Sequence, residues 1–195
     1  GKPLLIIYRP TLLPEPAQTI QRWRQYCREC GIGEIYLIAA LSFGCQNPTQ
    51  YGFDAGVEFP PHVMPGCSGY ALPLRMLNPD FSGKIYDLEL FVDREQYLDP
   101  APFRIFKTVA TGWDNTARRP NNASIFHGAN PGVYKKWLLN VSRLTRRTNP
   151  PDEQFVFINA WNEWAEGAHL EPDRRFGYGY LQATADVLRE IRHYP

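Results

Sequence analysis

Short continuous apolar runs and longer amphipathic stretches succeed one another along this chain. The apolar runs fall at residues 3–8 (PLLIIY), 34–41 (EIYLIAAL), 103–111 (FRIFKTVAT) and 155–158 (FVFI). Each is too short for a buried helix and rich in strand formers, so each predicts a buried strand. Between and after them, apolar residues recur at helical spacing. Ile20, Trp23, Cys27 and Cys30 share one face of a helix over 17–30 that Gly31 stops. Asn130-Pro131 is a helix start, an N-cap followed by proline at the first helical position. From it a helix runs to about residue 147 with Val133, Trp137, Val141 and Leu144 inward, and a last helix covers 178–192. A further helix is expected over 87–98, although DLELFV also alternates. Strand, helix, strand over some forty residues is the βαβ unit of a parallel sheet, so strands near 3–8, 34–41, 104–111 and 155–160 should run parallel with helices outside. The pattern suits a (β/α)8 barrel, which needs about 250 residues and eight units. With 195 residues and four units, the chain reads as one partial barrel domain over 1–195.

The polar residues that carry chemistry gather where these strands end, which is where barrel sites form. After 155–158 come Trp161, Asn162, Glu163, Trp164 and Glu166, then Gly167 and Pro172, which reads as a strand running out into a loop. Carboxylates three residues apart can face one cleft, and tryptophan walls would hold one of them protonated near neutral pH. Paired carboxylates beside aromatic platforms are the apparatus of glycosidic-bond chemistry. A lone E-x-x-E after a strand is ordinarily a solvated pair; the interleaved amide and indoles turn the reading toward a site. The strand at 103–111 ends in the same manner, at Trp113, Asp114, Asn115, Arg118 and Arg119, which read as a binding edge. His127, further along, is a polar contact or simply exposed. In the long Gly- and Pro-rich connection 42–83, Asp54 and Glu58 read equally as substrate contacts or as turn caps.

Composition changes this picture little. With 21 basic against 20 acidic residues and no basic run interleaved with aromatics, nothing suggests a nucleic-acid face. No apolar stretch approaches the ~20 residues of a membrane span. Aromatics at 14% suit a sugar-lined cleft or a dense core equally. Cys27 and Cys30 form a C-x-x-C that reads as core thiols rather than as redox or zinc chemistry, because they end a helix and no second pair completes a metal site. Free thiols point to a reducing, cytoplasmic compartment. The four histidines show no ligand spacing, and acid–base glycoside chemistry uses no metal, so neither metal nor cofactor is expected. The chain begins at Gly1 with no start methionine or leader, which reads as a piece cut from a longer protein.

The sequence WNEWAEG at 161–167, followed by HLEPD at 169–173, resembles the signature of the WbsX-like proteins. These are similar to glycoside hydrolase family 99, the endo-mannosidases, whose motif is N-E-W-x-E-G. KPLLIIYRP at 2–10, GFDAGVEFPP at 52–61 and GWDNTARR at 112–119 extend the resemblance over nearly the whole chain. It implies a barrel of which this chain is the later half, with the N-terminal half as its missing partner. It implies a carbohydrate substrate and retention of anomeric configuration. Glu163 would assist attack by the substrate's own 2-hydroxyl, and Glu166 would be general acid and then base. Asn162 would hold a sugar hydroxyl, Trp161 and Trp164 would shape the subsite, and Tyr8, His169 and Glu171 in the matched blocks would be further contacts. The WbsX label also implies an alternative, a glycosyltransferase of bacterial surface-polysaccharide synthesis, for which Arg118 and Arg119 could grip a diphosphate. Against it stand the absence of a D-x-D and of a Gly-rich phosphate loop. A second alternative is a non-catalytic glycan-binding module that kept its cleft.

Overall fold

The computed structural model describes residues 1–64 and 74–193, so Cys67 lies outside it. In chain order the strands are β1 (Leu4–Ile7), β2 (Tyr36–Ala40), β3 (Ala55–Val57), β4 (Lys84–Asp87), β5 (Ile105–Ala110), β6 (Ser124–His127), β7 (Val156–Asn159), β8 (Asn162–Glu163) and β9 (Ala168–His169). The α-helices are α1 (Pro16–Glu29), α2 (Leu88–Arg94), α3 (Pro131–Thr148) and α4 (Gly179–Arg192). The main sheet has the order β1-β2-β3-β5-β7, every neighbour parallel, and curls into half a barrel. All four predicted strands are in it, in sequence order.

Alternation along the strands separates two apolar layers. On β2, Leu37 and Ala39 pack outward with Ile20 and Trp23 of α1. Ile38 and Ala40 pack inward with Ala55, Val57, Phe106 and Phe157, a layer that contains no helix residue and lines the barrel axis. The largest cluster lies outside β5 and β7, where Val109 meets α2, α3 and α4 through Phe91, Trp137, Val141 and Val187. Asn130 caps α3, its Oδ1 accepting from the N–H of Gly132 (2.9 Å) and of Val133 (3.1 Å).

Three expectations are corrected. The connection after β2 holds a strand of its own, β3, three residues long and completely buried, wedged between β2 and β5. The helix expected over 87–98 is α2, only Leu88–Arg94: Asp87 ends β4 and caps the helix through Leu90 N–H (2.9 Å), and Glu95 in the left-handed region (φ 56°) stops it before a separate 3₁₀ turn at Gln96–Leu98. Cys30 is exposed at the end of α1 rather than in the core, whereas Cys27 does pack beneath the helix. The outer strands remain open: Leu4, Leu5 and Ile6 of β1 are 37–45% exposed, and Phe155 beside β7 is 44% exposed.

Candidate active site

The segment after β7 is a hairpin, not a plain loop. The chain leaves β7 through a cis Asn159–Ala160 peptide, and β8 pairs antiparallel with β9, Asn162 opposite His169 and Glu163 opposite Ala168. A single 3₁₀ turn, Trp164–Glu166, joins them and ends at Gly167 in the left-handed region (φ 63°). A 3₁₀ turn repeats every three residues, so Glu163 and Glu166 emerge on one side and Trp164 on another. The hairpin is docked on the loop after β5: Asp114 N–H donates to the Glu166 carbonyl at 2.7 Å. A Cβ on Gly167 would stand 3.2 Å from Asp114 N, and one on Gly112 would stand 3.1 Å from the Gly167 carbonyl. Two glycines therefore let the loops meet backbone to backbone.

Glu163 and Glu166 line one cleft of about 1000 Å³ at the carboxyl ends of the strands, together with Trp113, Arg118 and Arg119. The Glu166 side chain is only 13% exposed and forms an ion pair with Arg118. The arginines sit on a turn held by Asn115, whose carbonyl accepts from Arg118 N–H (3.1 Å) and Arg119 N–H (2.9 Å). Asn115 is itself buried, its Oδ1 accepting from Ser124 N–H at 2.9 Å, so it builds the edge rather than offering a contact. Tyr8 closes the opposite wall, edge-on to Phe43 (5.7 Å) and tilted on Phe59 (4.9 Å). His62 packs on Phe43 at 4.6 Å; burial, then the Arg119 charge, pushes its pKa below the usual histidine value.

The tryptophans expected as walls do not form them. Trp164 faces a neighbouring hollow of about 800 Å³, which Asp114, His127 and His169 also line. It lies parallel on His169 (centroids 3.9 Å apart, 13° between planes), and its Nε1–H donates to Glu171 Oε2 at 2.6 Å. His169 Nε2 in turn meets Asp173 Oδ2 at 3.1 Å. Burial raises the Asp173 pKa, but the backbone N–H groups of Phe176 and Arg175 and the His169 ring outweigh it and hold it below the usual aspartate range. Glu171, His169 and Asp173 thus clamp the ring between the two glutamates. Trp161 is 54% exposed and, like the exposed Asn162, lines neither hollow. The aromatic surface of the carboxylate cleft comes instead from Tyr8, Phe43, Phe59, Tyr86 and Trp113. Trp113, 93% buried by its 7% exposure, separates the two hollows.

Asp54 and Glu58 resolve toward structure. Asp54 lies at the amino ends of the strands, away from the cleft, where its Oδ2 accepts from Leu37 N–H (2.7 Å) and Arg24 Nη2 (2.8 Å) and ties α1 to the sheet. Glu58 is 5% exposed and pairs with Lys107 Nζ at 2.8 Å, which also donates to the Tyr97 carbonyl. Burial raises the Glu58 pKa and Lys107 opposes it. Sequence reasoning overlooked Phe43, Lys84 and Tyr86, and it placed Phe59 and His62 in the long connection read as functional without giving either a role in the cleft. The matched block at 52–61 held Phe59, and the alternation noted in DLELFV at 87–92 begins just after Lys84 and Tyr86. Among the described residues no three His, Cys, Asp or Glu side chains cluster as metal ligands. No helix among the described residues is long and apolar enough to cross a membrane.

The profile of the family described as Glycosyltransferase WbsX matches residues 1–184. The chain belongs to that family. The resemblance carried by WNEWAEG is borne out on this finding. Two uncharacterized WxcX proteins of Xanthomonas campestris pv. campestris, from strains B100 and ATCC 33913, are each 47% identical over 188 residues. The match takes 96% of this chain but only 27% of each relative, so the chain spans about a quarter of their length. Among solved structures, a glycoside hydrolase-like protein superposes with a TM-score of 0.60 at 18% identity, over 96% of this chain and 54% of that one. A family 99 endo-α-mannosidase from Bacteroides thetaiotaomicron gives 0.50 at 16% identity, over 98% and 58%. At these identities the likeness is one of fold. This WbsX-family chain has the fold of about half of each hydrolase chain, in accord with the expected half barrel.

Proposed function

We propose that this WbsX-family chain supplies the carboxylate-bearing half of a carbohydrate-active enzyme that cleaves glycosidic bonds with retention. The observation that carries the reading is the pairing of Glu163 and Glu166 on one turn, facing one aromatic cleft at the carboxyl ends of parallel strands. An oxocarbenium-like transition state calls for one carboxylate and one carboxylic acid close together. In this reading Glu166 protonates the leaving oxygen and then activates the incoming water. Glu163 assists attack on the anomeric carbon through the substrate's 2-hydroxyl. Arg118 holds the Glu166 carboxylate in place in the free cleft. As substrate fills the cleft and parts this ion pair, Glu166 takes up from solvent the proton that it then donates. Tyr8 and Trp113 give the sugar faces apolar contact. The flanking sequence of the whole protein completes the barrel and adds further subsites.

The family's description favours a second reading, transfer from an activated donor, in which Arg118 and Arg119 grip a diphosphate. Incubating the full-length protein separately with a panel of oligosaccharides, mannan-type and uronic-acid-containing, and with a panel of nucleotide sugars distinguishes the two. Release of reducing ends from the oligosaccharides alone is the expected result. Turnover of a nucleotide sugar alone replaces the first reading with the second, and binding of glycans without turnover of either reduces the domain to a recognition module.

A further inference from the structure

The cleft that holds the two glutamates carries more positive than negative charge. Lys84, Arg118 and Arg119 face it, against Glu163 and Glu166. Arg118 is committed to Glu166. Lys84 and Arg119 have no acidic partner among the described residues, and both are exposed to the cleft. The two cations share one piece of backbone. Lys84 stands opposite Ser124 in the β4–β6 pair, and Lys84 N–H donates to the Ala123 carbonyl at 2.7 Å. Ser124 N–H in turn donates to Asn115 Oδ1 (2.9 Å), and the Asn115 carbonyl accepts from Arg119 N–H (2.9 Å). Gly83 lies so close that a Cβ would fall 2.1 Å from the Ala123 carbonyl, so the strands admit no side chain there. Lys84 and Arg119 are therefore set on a common scaffold beside the aromatic wall of Tyr86.

A neutral sugar filling this cleft would strip water from both cations and return no counter-charge, which is unfavourable. An anion would replace that water with charge-assisted hydrogen bonds, bidentate in the case of the guanidinium. We infer that the cleft takes an acidic carbohydrate, whose carboxylate or phosphate is bound by Arg119 and Lys84 next to the bond presented to Glu163 and Glu166. The inference rests on the function proposed above for where that bond lies; the recognition itself does not depend on cleavage.

The test is equilibrium binding to the full-length protein by calorimetry. The probes are uronic-acid oligosaccharides (glucuronate, galacturonate and mannuronate), each beside its carboxyl-reduced neutral counterpart, and uridine diphosphate. At least one acidic probe should bind about 10–100-fold more tightly than its neutral partner, the scale of a charge-assisted hydrogen bond. The preference should shrink with added salt and vanish in Lys84→Ala/Arg119→Ala. It should return in Lys84→Arg/Arg119→Lys, which controls for loss of fold. Binding of uridine diphosphate with the same dependence on both residues, and of no uronate, assigns the anion to the phosphate of a donor. Equal or tighter binding of the neutral counterparts, survival of the preference in the double alanine variant, or no binding of any acidic probe overturns the inference. Glu166→Gln separates the two proposals. It should lower turnover of the glycan about 10²–10⁴-fold while keeping the acidic preference, so either can fail without the other.

Discussion

The contact between Gly112 and Gly167 decides where Glu166 sits. Gly167 has φ 63° and leaves 3.2 Å between a notional Cβ and Asp114 N, so alanine there meets both backbone strain and a backbone atom. Gly167→Ala should cost about 1–3 kcal/mol in chemical denaturation, and it should lower turnover by displacing the hairpin from Asp114. Unchanged stability and activity would show that the two loops are not fixed by this approach. His62 makes stability depend on pH. Its folded-state pKa is lowered by burial and by Arg119, whereas the unfolded chain takes up the proton at about 6.5. The unfolded state then binds more protons at mildly acid pH, so this contribution is present above about 6.5 and is lost as pH falls below it. Thermal midpoints between pH 8 and 5 should drop on the acid side, and His62→Asn should flatten that slope; an unaltered slope would exclude His62 as its source. Trp113, Asp114, Arg118, Asn162, Glu163 and Glu166 were expected to line one cleft because all follow predicted strands; Trp113, Arg118, Glu163 and Glu166 do line one, whereas Asp114 faces the neighbouring hollow and Asn162 lines neither. The orientation of Trp164 was not legible, because a 3₁₀ turn sends neighbours of a paired motif to different sides, and spacing alone does not say which side is the cleft.

The hairpin of β8 and β9 is held from behind by the ring of Trp164. Glu171 fixes its nitrogen, His169 its face, and Asp173 the histidine. Removing the stack should loosen the turn that carries both glutamates. His169→Ala is expected to shift Trp164 fluorescence and to reduce kcat about 10–100-fold, the scale of a small misplacement of catalytic groups, with KM nearly unchanged. Altered fluorescence with wild-type kcat would mean that the clamp does not position the carboxylates. Helix α3 depends on Asn130 in a simpler way, and Asn130→Ala should lose about 1 kcal/mol of stability through two unsatisfied backbone N–H groups. Elements with strong local signals were readable: α3 from its Asn-Pro start, α1 from its apolar face, β2 and β5 from their runs. Elements fixed by distant partners were not. The three residues of β3 carry no pattern of their own, and β4 and β6 exist because they pair with each other across intervening chain.

At the scale of the molecule, the parallel order was foreseeable because strand–helix–strand spacing permits little else. The open edges follow from the same count. Leu4, Leu5 and Ile6 of β1 and Phe155 beside β7 stand partly exposed on a sheet that curls halfway round a barrel. Unpaired apolar edges attract other strands. The 195-residue chain alone should therefore self-associate with rising concentration in analytical ultracentrifugation, and the full-length protein should not. A strictly monomeric short chain would indicate that these edges need no cover. The full-length protein is also where the central claim, that Glu163 and Glu166 divide the work on a glycosidic bond, is tested most directly. The measurement is the turnover of Glu163→Gln and Glu166→Gln, in the full-length protein, on a natural glycan and on an aryl glycoside whose leaving group departs unaided. Glu166→Gln should lose about 10²–10⁴-fold on the glycan, the usual worth of general acid help, and recover most of its first step on the aryl substrate. Glu163→Gln should stay slow on both. Wild-type rates from both variants on a confirmed substrate would contradict the account.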